Sequence, residues 1–173
     1  MFGRRKKARK VTGASLVEDG LAIFAPVAGE LAPMESIDDP VFKNVPAGRG
    51  IFIRPAGDKV LSPIIGSVER LYDHGRAIRL ATVFGVEILI CIRHDNAEVK
   101  RNHFAACVIE GDIVGPGDLL FKLDRNAIGT DGCSTEIRMF VCDNDNIENF
   151  EAPPEKTIAE GELITVLAKR MEN

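Results

Sequence analysis

Hydrophobic residues in this chain alternate with polar ones in several stretches, with the period of two that is typical of β-strands. In the clearest stretch, residues 85–96, one set of alternate positions is wholly apolar and the other is mixed: Val86, Ile88, Ile90 and Ile92 against Glu87, Leu89, Cys91 and Arg93. Polar residues that favour turns end the stretch at His94, Asp95 and Asn96. We therefore expect a strand with Cys91 on its mixed face and polar groups gathered at its end.

The rest of the chain repeats this alternation in shorter stretches. Strands are predicted at residues 21–26, 51–53, 59–61, 64–72 and 76–82, separated by turns that contain glycine or proline. Helical periodicity is limited to about a turn and a half at 104–109 and a second short piece at 123–128. The pattern therefore predicts a mainly β protein.

Two sequence echoes indicate an internal repeat. The pattern Pro-x-x-Gly-x-apolar at 26–31 recurs at 63–68, 37 residues later, and the segment 115–120 recurs at 159–164, 44 residues later. In each copy a glycine permits a tight turn or a close backbone approach before an apolar strand. The fold class predicted is all-β: a barrel-like β-sandwich built from two related halves, with one or two short helices.

Length and cysteine content limit what this fold can belong to. With 173 residues and 45% hydrophobic content, the chain fits one globular domain, expected at 20–170, after a basic and flexible tail at 1–19. No apolar run approaches the roughly 20 residues that span a bilayer, and residues 1–10 lack the apolar segment of a secretory signal, so we expect a cytoplasmic protein. The cysteines at 91, 107, 133 and 142 show no paired metal-ligand spacing, which predicts reduced thiols and no metal site.

Charge is divided unevenly between the tail and the body. Residues 1–10 hold six basic side chains and no acid, so the 22 basic and 26 acidic residues of the whole chain leave 16 bases against 26 acids elsewhere, a formal charge of -10. An acidic body argues against nucleic acid as the main partner. The tail has two interpretations: it contacts an anionic membrane surface, which places the protein peripherally at the inner membrane, or it is a solvated arm.

Several short motifs, taken in order, carry a resemblance to a known family. They are Ala-Pro-Val-Ala-Gly-Glu at 25–30, Gly-Arg-Gly-Ile-Phe-Ile-Arg-Pro-Ala-Gly at 48–57, Val-Leu-Ser-Pro-Ile-Ile-Gly-Ser-Val at 60–68 and Gly-Val-Glu-Ile at 85–88. Together they resemble the glucose-type enzyme IIA of the phosphoenolpyruvate-dependent sugar phosphotransferase system, over roughly residues 20–170. The resemblance implies a β-sandwich phosphocarrier that takes phosphate from the histidine phosphocarrier protein and passes it to the enzyme IIB/IIC of a sugar transporter. The resemblance also implies a monomer, and nothing in the sequence indicates an added interface. No cofactor is expected.

The resemblance also implies where the site lies. An ungapped match from Gly66 through Asp95 puts Cys91 at the position of the phosphorylated histidine and Arg76 at that of the supporting histidine, so both imidazoles are expected to be replaced. His74 and His94 are out of register with the family pair, and Asp95 matches an acid that closes the family motif. The predicted site is therefore Cys91 and Arg76 as the catalytic pair, with His74, His94 and Asp95 as supporting neighbours. The implied partner-binding face includes three apolar residues: Val41, Phe42 and Phe84.

Three interpretations of this altered site remain open. In the first, Cys91 carries the phosphate as a thiolate that Arg76 stabilises, and the chain is a phosphotransferase component. In the second, Cys91 is an inert space-filling residue, and the domain is a phosphotransfer-silent regulator or adaptor that binds partners through the same face. Phe42 and Phe84 are then either part of that face or plain core residues. In the third, His74, Cys91 and His94 bind a metal with Asp95 nearby, although no local ligand spacing supports it.

Overall fold

The part of the chain described by the structure, a computed structural model, folds into strands and connections without a helix. The described residues are 16–17, 20–34, 50–72, 76–82, 84–94, 104–124, 135–142 and 144–170, with 16–17 and 93–94 described in backbone only. Within them lie fourteen strands: β1 (Leu16–Val17), β2 (Gly20–Phe24), β3 (Gly29–Pro33), β4 (Gly50–Pro55), β5 (Lys59–Leu61), β6 (Gly66–Tyr72), β7 (Ala77–Ala81), β8 (Glu87–His94), β9 (Phe104–Ala106), β10 (Ile113–Val114), β11 (Leu119–Leu123), β12 (Thr135–Val141), β13 (Lys156–Ile158) and β14 (Leu163–Ala168). The predicted strands at 51–53, 59–61 and 76–82 correspond to β4, β5 and β7.

The strands form antiparallel sheets of a β-sandwich. The largest sheet has eight strands in the order β10-β6-β7-β8-β12-β4-β3-β13, and two three-stranded sheets have the orders β1-β2-β14 and β5-β11-β9. Strand β8 lies inside the large sheet, between β7 and β12. The fold class predicted from the alternation and the echoes is confirmed for the strands and the sandwich.

The inner face of β8 is buried in the main core, as its alternation predicts. Ile88, Ile90 and Ile92, together with Val86 just before the strand, are each 0% exposed and pack in one large hydrophobic cluster. Their cross-strand neighbours on β12 continue the same face, because directly paired residues of antiparallel strands point the same way. Burying each such aliphatic side chain contributes roughly 1.5–3 kcal/mol, so this row anchors the large sheet.

The helix predicted at 104–109 is wrong. Residues Phe104–Ala106 form β9, which pairs with β11, and the structure leaves 107–109 without regular structure. Phe104 is 7% exposed whereas Ala105 and Ala106 are exposed, so one buried aromatic side chain anchors the strand to the core. Tertiary pairing overrides a helical spacing this short. The second predicted helix begins on Leu123, the last residue of β11, and its remainder from 125 onward lies outside the described residues.

Three turns of one kind recur among the described residues, and we call them the glycine-acid turns. They span residues 109–112, 115–118 and 159–162, and each contains a glycine with a positive φ followed by Asp or Glu. In each turn the acidic side chain accepts a hydrogen bond from the N–H of the first residue, at 2.9–3.0 Å. Only glycine adopts the required left-handed backbone without strain, which explains why it recurs here.

Two of the glycine-acid turns explain the echoes found in the sequence. The N–H of Gly161 donates to the carbonyl of Ala25, and the Ala25 N–H donates to the carbonyl of Glu162 (3.1 and 2.8 Å). The corresponding bonds in the other half join the turn 115–118 to Ser62 with the same polarity and similar lengths, 3.1 and 2.8 Å. Ala25 and Ser62 each precede the proline of a Pro-x-x-Gly copy, so the two echoes meet in pairs and define two related halves.

A pH-dependent contact occurs at the third of these turns. Hydrogen bonds from the Ala159 N–H and from the Lys156 ammonium (2.9 Å each) lower the pKa of the exposed Glu162 carboxyl. A carboxyl group whose pKa is lower in the folded state than in the unfolded state stabilises the folded state. This stabilisation is fully present at pH values above the pKa of the unfolded state. It is lost as the pH falls through the pKa of the folded state. We expect an NMR titration to give a Glu162 midpoint below the usual range for glutamate, and Lys156→Met to raise it. A midpoint in the usual range would contradict this contact.

Candidate functional site

The outer face of the large sheet carries a row of side chains centred on Cys91. Cys91 pairs directly with Ala77 on β7 and with Arg138 on β12. The row continues beyond Ala77 to Tyr72 and beyond Arg138 to Phe52. Because directly paired residues share a face and have Cβ atoms roughly 4.5–5.5 Å apart, Cys91 has a methyl group on one side and a guanidinium stem on the other.

Cys91 is almost completely buried. It is 1% exposed and belongs to a second cluster, the outer cluster, in which it packs with Met34, Ala77, Leu89 and Phe140. This placement on the face opposite Ile90 and Ile92 agrees with the prediction from alternation. An apolar environment disfavours the thiolate, which is the reactive form of cysteine, and burial limits the approach of any reactant.

Arg76 does not lie directly opposite Cys91. It precedes β7 and is bonded to the neighbouring residue of β8: the Ile92 N–H donates to the Arg76 carbonyl at 3.0 Å, and Arg76 Nη1 donates to the Ile92 carbonyl at 3.5 Å. Ala77 occupies the position opposite Cys91. Arg76 therefore lies one residue before the position that faces the Cys91 thiol across the strands.

Arg138 is the charged residue that the sequence interpretation missed. Its Nε and Nη2 lie 3.2 Å from Glu136 Oε1, and the Arg138 and Glu136 side chains are 12% and 19% exposed. Among the described residues its Nη1 is buried and has no hydrogen-bond partner. The alternation of β12 does place Glu136, Arg138 and Phe140 on one face, but only the sheet pairing shows that this face includes Cys91.

Two more arginines lie on the outer face near Cys91. Arg79 pairs with Leu89, one row from Cys91, and its Nε is also buried without a hydrogen-bond partner within the described part of the chain. The Arg79 side chain is 32% exposed, and its Nε is 4.0 Å from Glu87 Oε2. Arg54 lies over the ring of Phe52, with its guanidinium carbon 5.5 Å from the ring centroid. The rows nearest Cys91 are therefore basic, although Glu87 and Glu136 border them, in contrast to the acidic balance of the body as a whole.

The remaining predicted site residues are only partly described. Strand β8 continues through His94, which pairs with Thr135 in unbroken register, so positions 91 and 94 have opposite parity along the strand. Phe84 is partly buried against the main core and is not a member of the outer cluster. His74, Asp95, Val41 and Phe42 lie outside the described residues, as does the tail at 1–10.

Metal binding and membrane insertion find no support in the described residues. No group of three His, Cys, Asp or Glu side chains is arranged there to hold a metal ion. The metal interpretation uses His74 and His94, whose side chains are not described, and it stays a prediction. In the same part of the chain, no helix has the length and apolarity needed to cross a bilayer.

Comparison with known proteins establishes the class of protein. A family profile for the phosphoenolpyruvate-dependent sugar phosphotransferase system, EIIA 1, matches residues 21–147. The chain belongs to this family of enzyme IIA domains, which agrees with the resemblance seen in its motifs.

Individual relatives agree with this class. The chain is 31% identical over 149 residues to the "PTS system glucose-specific EIIA component" of Oceanobacillus iheyensis, covering 85% of this chain and 90% of the relative. It is 30% identical over 162 residues to the protein of the same description from Staphylococcus aureus, covering 94% and 92%. Among solved structures, the glucose permease IIA from Mycoplasma capricolum superposes with a TM-score of 0.72 at 23% identity, covering 86% of this chain and 96% of that one, which shows the shared fold.

Proposed function

We propose that this chain is a phosphotransfer-silent enzyme IIA domain, one that binds partners of the sugar phosphotransferase system in the cytoplasm without carrying phosphate. The observation that carries the proposal is the 1% exposure of Cys91 in the apolar outer cluster. In this proposal Cys91 and Arg76 stand at the positions where the family has its two histidines. The partners inferred from the family are the histidine phosphocarrier protein and the enzyme IIB/IIC of a sugar transporter.

Burial matters because a phosphocarrier reacts twice with groups held by other proteins. Its nucleophile must approach the phosphorus of the donor in line, and the phosphorylated group must then reach a second protein. A side chain with 1% exposure meets neither requirement unless the structure above it opens. The residue directly opposite Cys91 on β7 is Ala77, which supplies no general base to take the thiol proton.

One observation favours a second candidate, a thiol phosphocarrier. Arg138 is the direct cross-strand neighbour of Cys91, and a guanidinium beside a thiol favours the thiolate and binds phosphoryl oxygens. In that reaction the Cys91 sulfur forms a bond to phosphorus while the P–N bond of the donor phosphohistidine breaks. The released imidazole takes up a proton, and the phosphoryl group later leaves sulfur for the acceptor.

Phosphorylation with the natural donor system decides between the two candidates. We expect no phosphate-sized mass gain when the chain is incubated with phosphoenolpyruvate, enzyme I and the histidine phosphocarrier protein, under conditions that fully label an ordinary enzyme IIA. Intact mass and site mapping give the readout for the wild type and for Cys91→Ser, with Cys107→Ser as the matched control because Cys107 lies away from the outer cluster. A gain that is lost only in Cys91→Ser would establish the thiol carrier instead, and a gain kept in Cys91→Ser would assign the phosphate to another residue.

A further inference from the structure

Two arginines on the outer face have donors that the fold does not use. In the part of the chain described, Arg138 Nη1 and Arg79 Nε are buried and lack a hydrogen-bond partner. Arg138 lies on β12 and Arg79 on β7, so they stand on either side of β8, opposite Cys91 and Leu89 respectively. Buried donors are almost always paired, and leaving one unpaired costs free energy. Because these unpaired donors lie on both sides of Leu89 and Cys91, an anion bound over these two residues would complete their hydrogen bonding.

The charge in the two rows that contain these donors favours an anion. The two rows that run across the strands through Leu89 and Cys91 contain three arginines and no acidic residue: Arg70, Arg79 and Arg138. Two carboxylates border these rows: Glu136 holds one edge of the Arg138 guanidinium, through Nε and Nη2, and Glu87 Oε2 lies 4.0 Å from Arg79 Nε. A guanidinium fixed on one edge presents its remaining N–H groups in a defined direction, which suits a phosphoryl group with its three acceptor oxygens.

We propose that Arg138, with Arg79 beside it, recognises the phosphoryl group of a phosphohistidine on the partner phosphocarrier protein, without accepting that group. The proposal rests on the proposed function, because a silent domain retains the docking step and loses the transfer step. It makes this domain a reader of the partner's phosphorylation state, which binds the phosphorylated form in preference to the unphosphorylated one.

The occupant is assigned to a protein-borne phosphoryl group for two reasons. Arg138 adjoins Cys91, the position at which the family register places the acceptor, so a docked donor would bring its phosphate to this point. The same row is flanked by the partly buried rings of Tyr72 and Phe52, apolar surface that a protein partner covers and that a free phosphate ion leaves exposed. Arg138 Nη1 is below the surface, so contact requires the side chains above it to move while the ion pair with Glu136 keeps the guanidinium in place.

The test compares the affinity of the full chain for the phosphorylated and unphosphorylated forms of the histidine phosphocarrier protein, by isothermal titration calorimetry. We expect the phosphorylated form to bind on the order of ten times more tightly, since a charge-assisted hydrogen bond is worth about one such factor. Arg138→Met is expected to abolish the preference by lowering the affinity for the phosphorylated form about tenfold. Arg79→Met, which alters a side chain that is one-third exposed and less demanding for folding, is expected to reduce the preference.

Lys122→Met is the matched control, because it removes an exposed positive charge from β11 in a different sheet. It should keep the full preference. Equal affinity of the wild type for both forms, or a preference that survives both arginine variants, would overturn the inference while leaving a silent binding domain in place. Transfer of the phosphate to this chain, seen as a mass gain during the titration, would instead overturn the proposed function.

Discussion

In the folded protein, iodoacetamide is expected to modify Cys91 at least about a hundred times more slowly than Cys107 or Cys142, because reaction requires a local opening worth roughly 3 kcal/mol. Cys91 is 1% exposed, whereas Cys107 and Cys142 are partly exposed thiols. An alkylating reagent attacks the thiolate, and the apolar outer cluster opposes both its formation and its contact with the reagent. Peptide mapping by mass spectrometry over a time course measures the three rates in one sample.

The same measurement in denaturant is the control, because all three thiols should then react at similar rates. A Cys91 that reacts as fast as Cys142 in the folded protein, with a rate that already saturates near neutral pH, would contradict the silent domain. The variant Arg138→Met would then separate the effect of the guanidinium on that rate from the effect of access to the thiol. It removes the guanidinium beside Cys91 and keeps most of the apolar volume of the arginine stem. Slower alkylation in this variant would show that the guanidinium had activated the thiol.

Substituting the glycine that begins β6 is expected to destabilise the whole fold. A Cβ at Gly66 would overlap the carbonyl oxygen of Ala81 on β7, and a Cβ at Gly29 would overlap that of Arg54 on β4. A backbone carbonyl cannot move without separating the paired strands, so we expect Gly66→Ala and Gly29→Ala each to lower the free energy of unfolding by about 3 kcal/mol, at the upper end for overpacking. Urea denaturation followed by circular dichroism measures the loss.

Gly57→Ala is the matched control for both glycines. Its added Cβ would have Val27 Cγ2 as its nearest neighbour at 3.9 Å, an ordinary contact, so stability should change by no more than about 0.5 kcal/mol. Equal stability of all three variants would show that the close approaches at Gly29 and Gly66 are not needed. The two glycines occupy the same place in the Pro-x-x-Gly echo, so similar losses would also support the equivalence of the two halves.

The sequence predicts those parts of the structure that depend on local periodicity. Strand β8 could be predicted because four apolar residues alternate without interruption, and alternation alone decides which side chains share a face. The two related halves could be predicted because the glycine in each echo keeps the same spacing from an apolar strand. The prediction for 104–109 is wrong because so few residues do not distinguish a helical spacing from a strand with one buried aromatic, and pairing with β11 decides the outcome.

The composition of the site depends on pairing that the sequence does not reveal. Arg138 is 47 positions from Cys91, and their contact arises only because β12 pairs with β8 in a particular register. A shift of one residue would bring Ile137 or Met139 beside the thiol instead. The same dependence on pairing explains why Arg76 does not face Cys91. The motif match aligns Arg76 with a family position, but the hydrogen bonding between β7 and β8 puts Ala77 opposite Cys91.

Strands β2 and β14 pair from Leu163 with Phe24 to Ala168 with Gly20, so the first and last long strands of the described domain run side by side. The chain therefore enters and leaves the sandwich at one point, in a small sheet separate from the large sheet that carries Cys91. A domain whose two ends lie side by side can be joined to another polypeptide, or inserted within one, without disturbing the outer cluster.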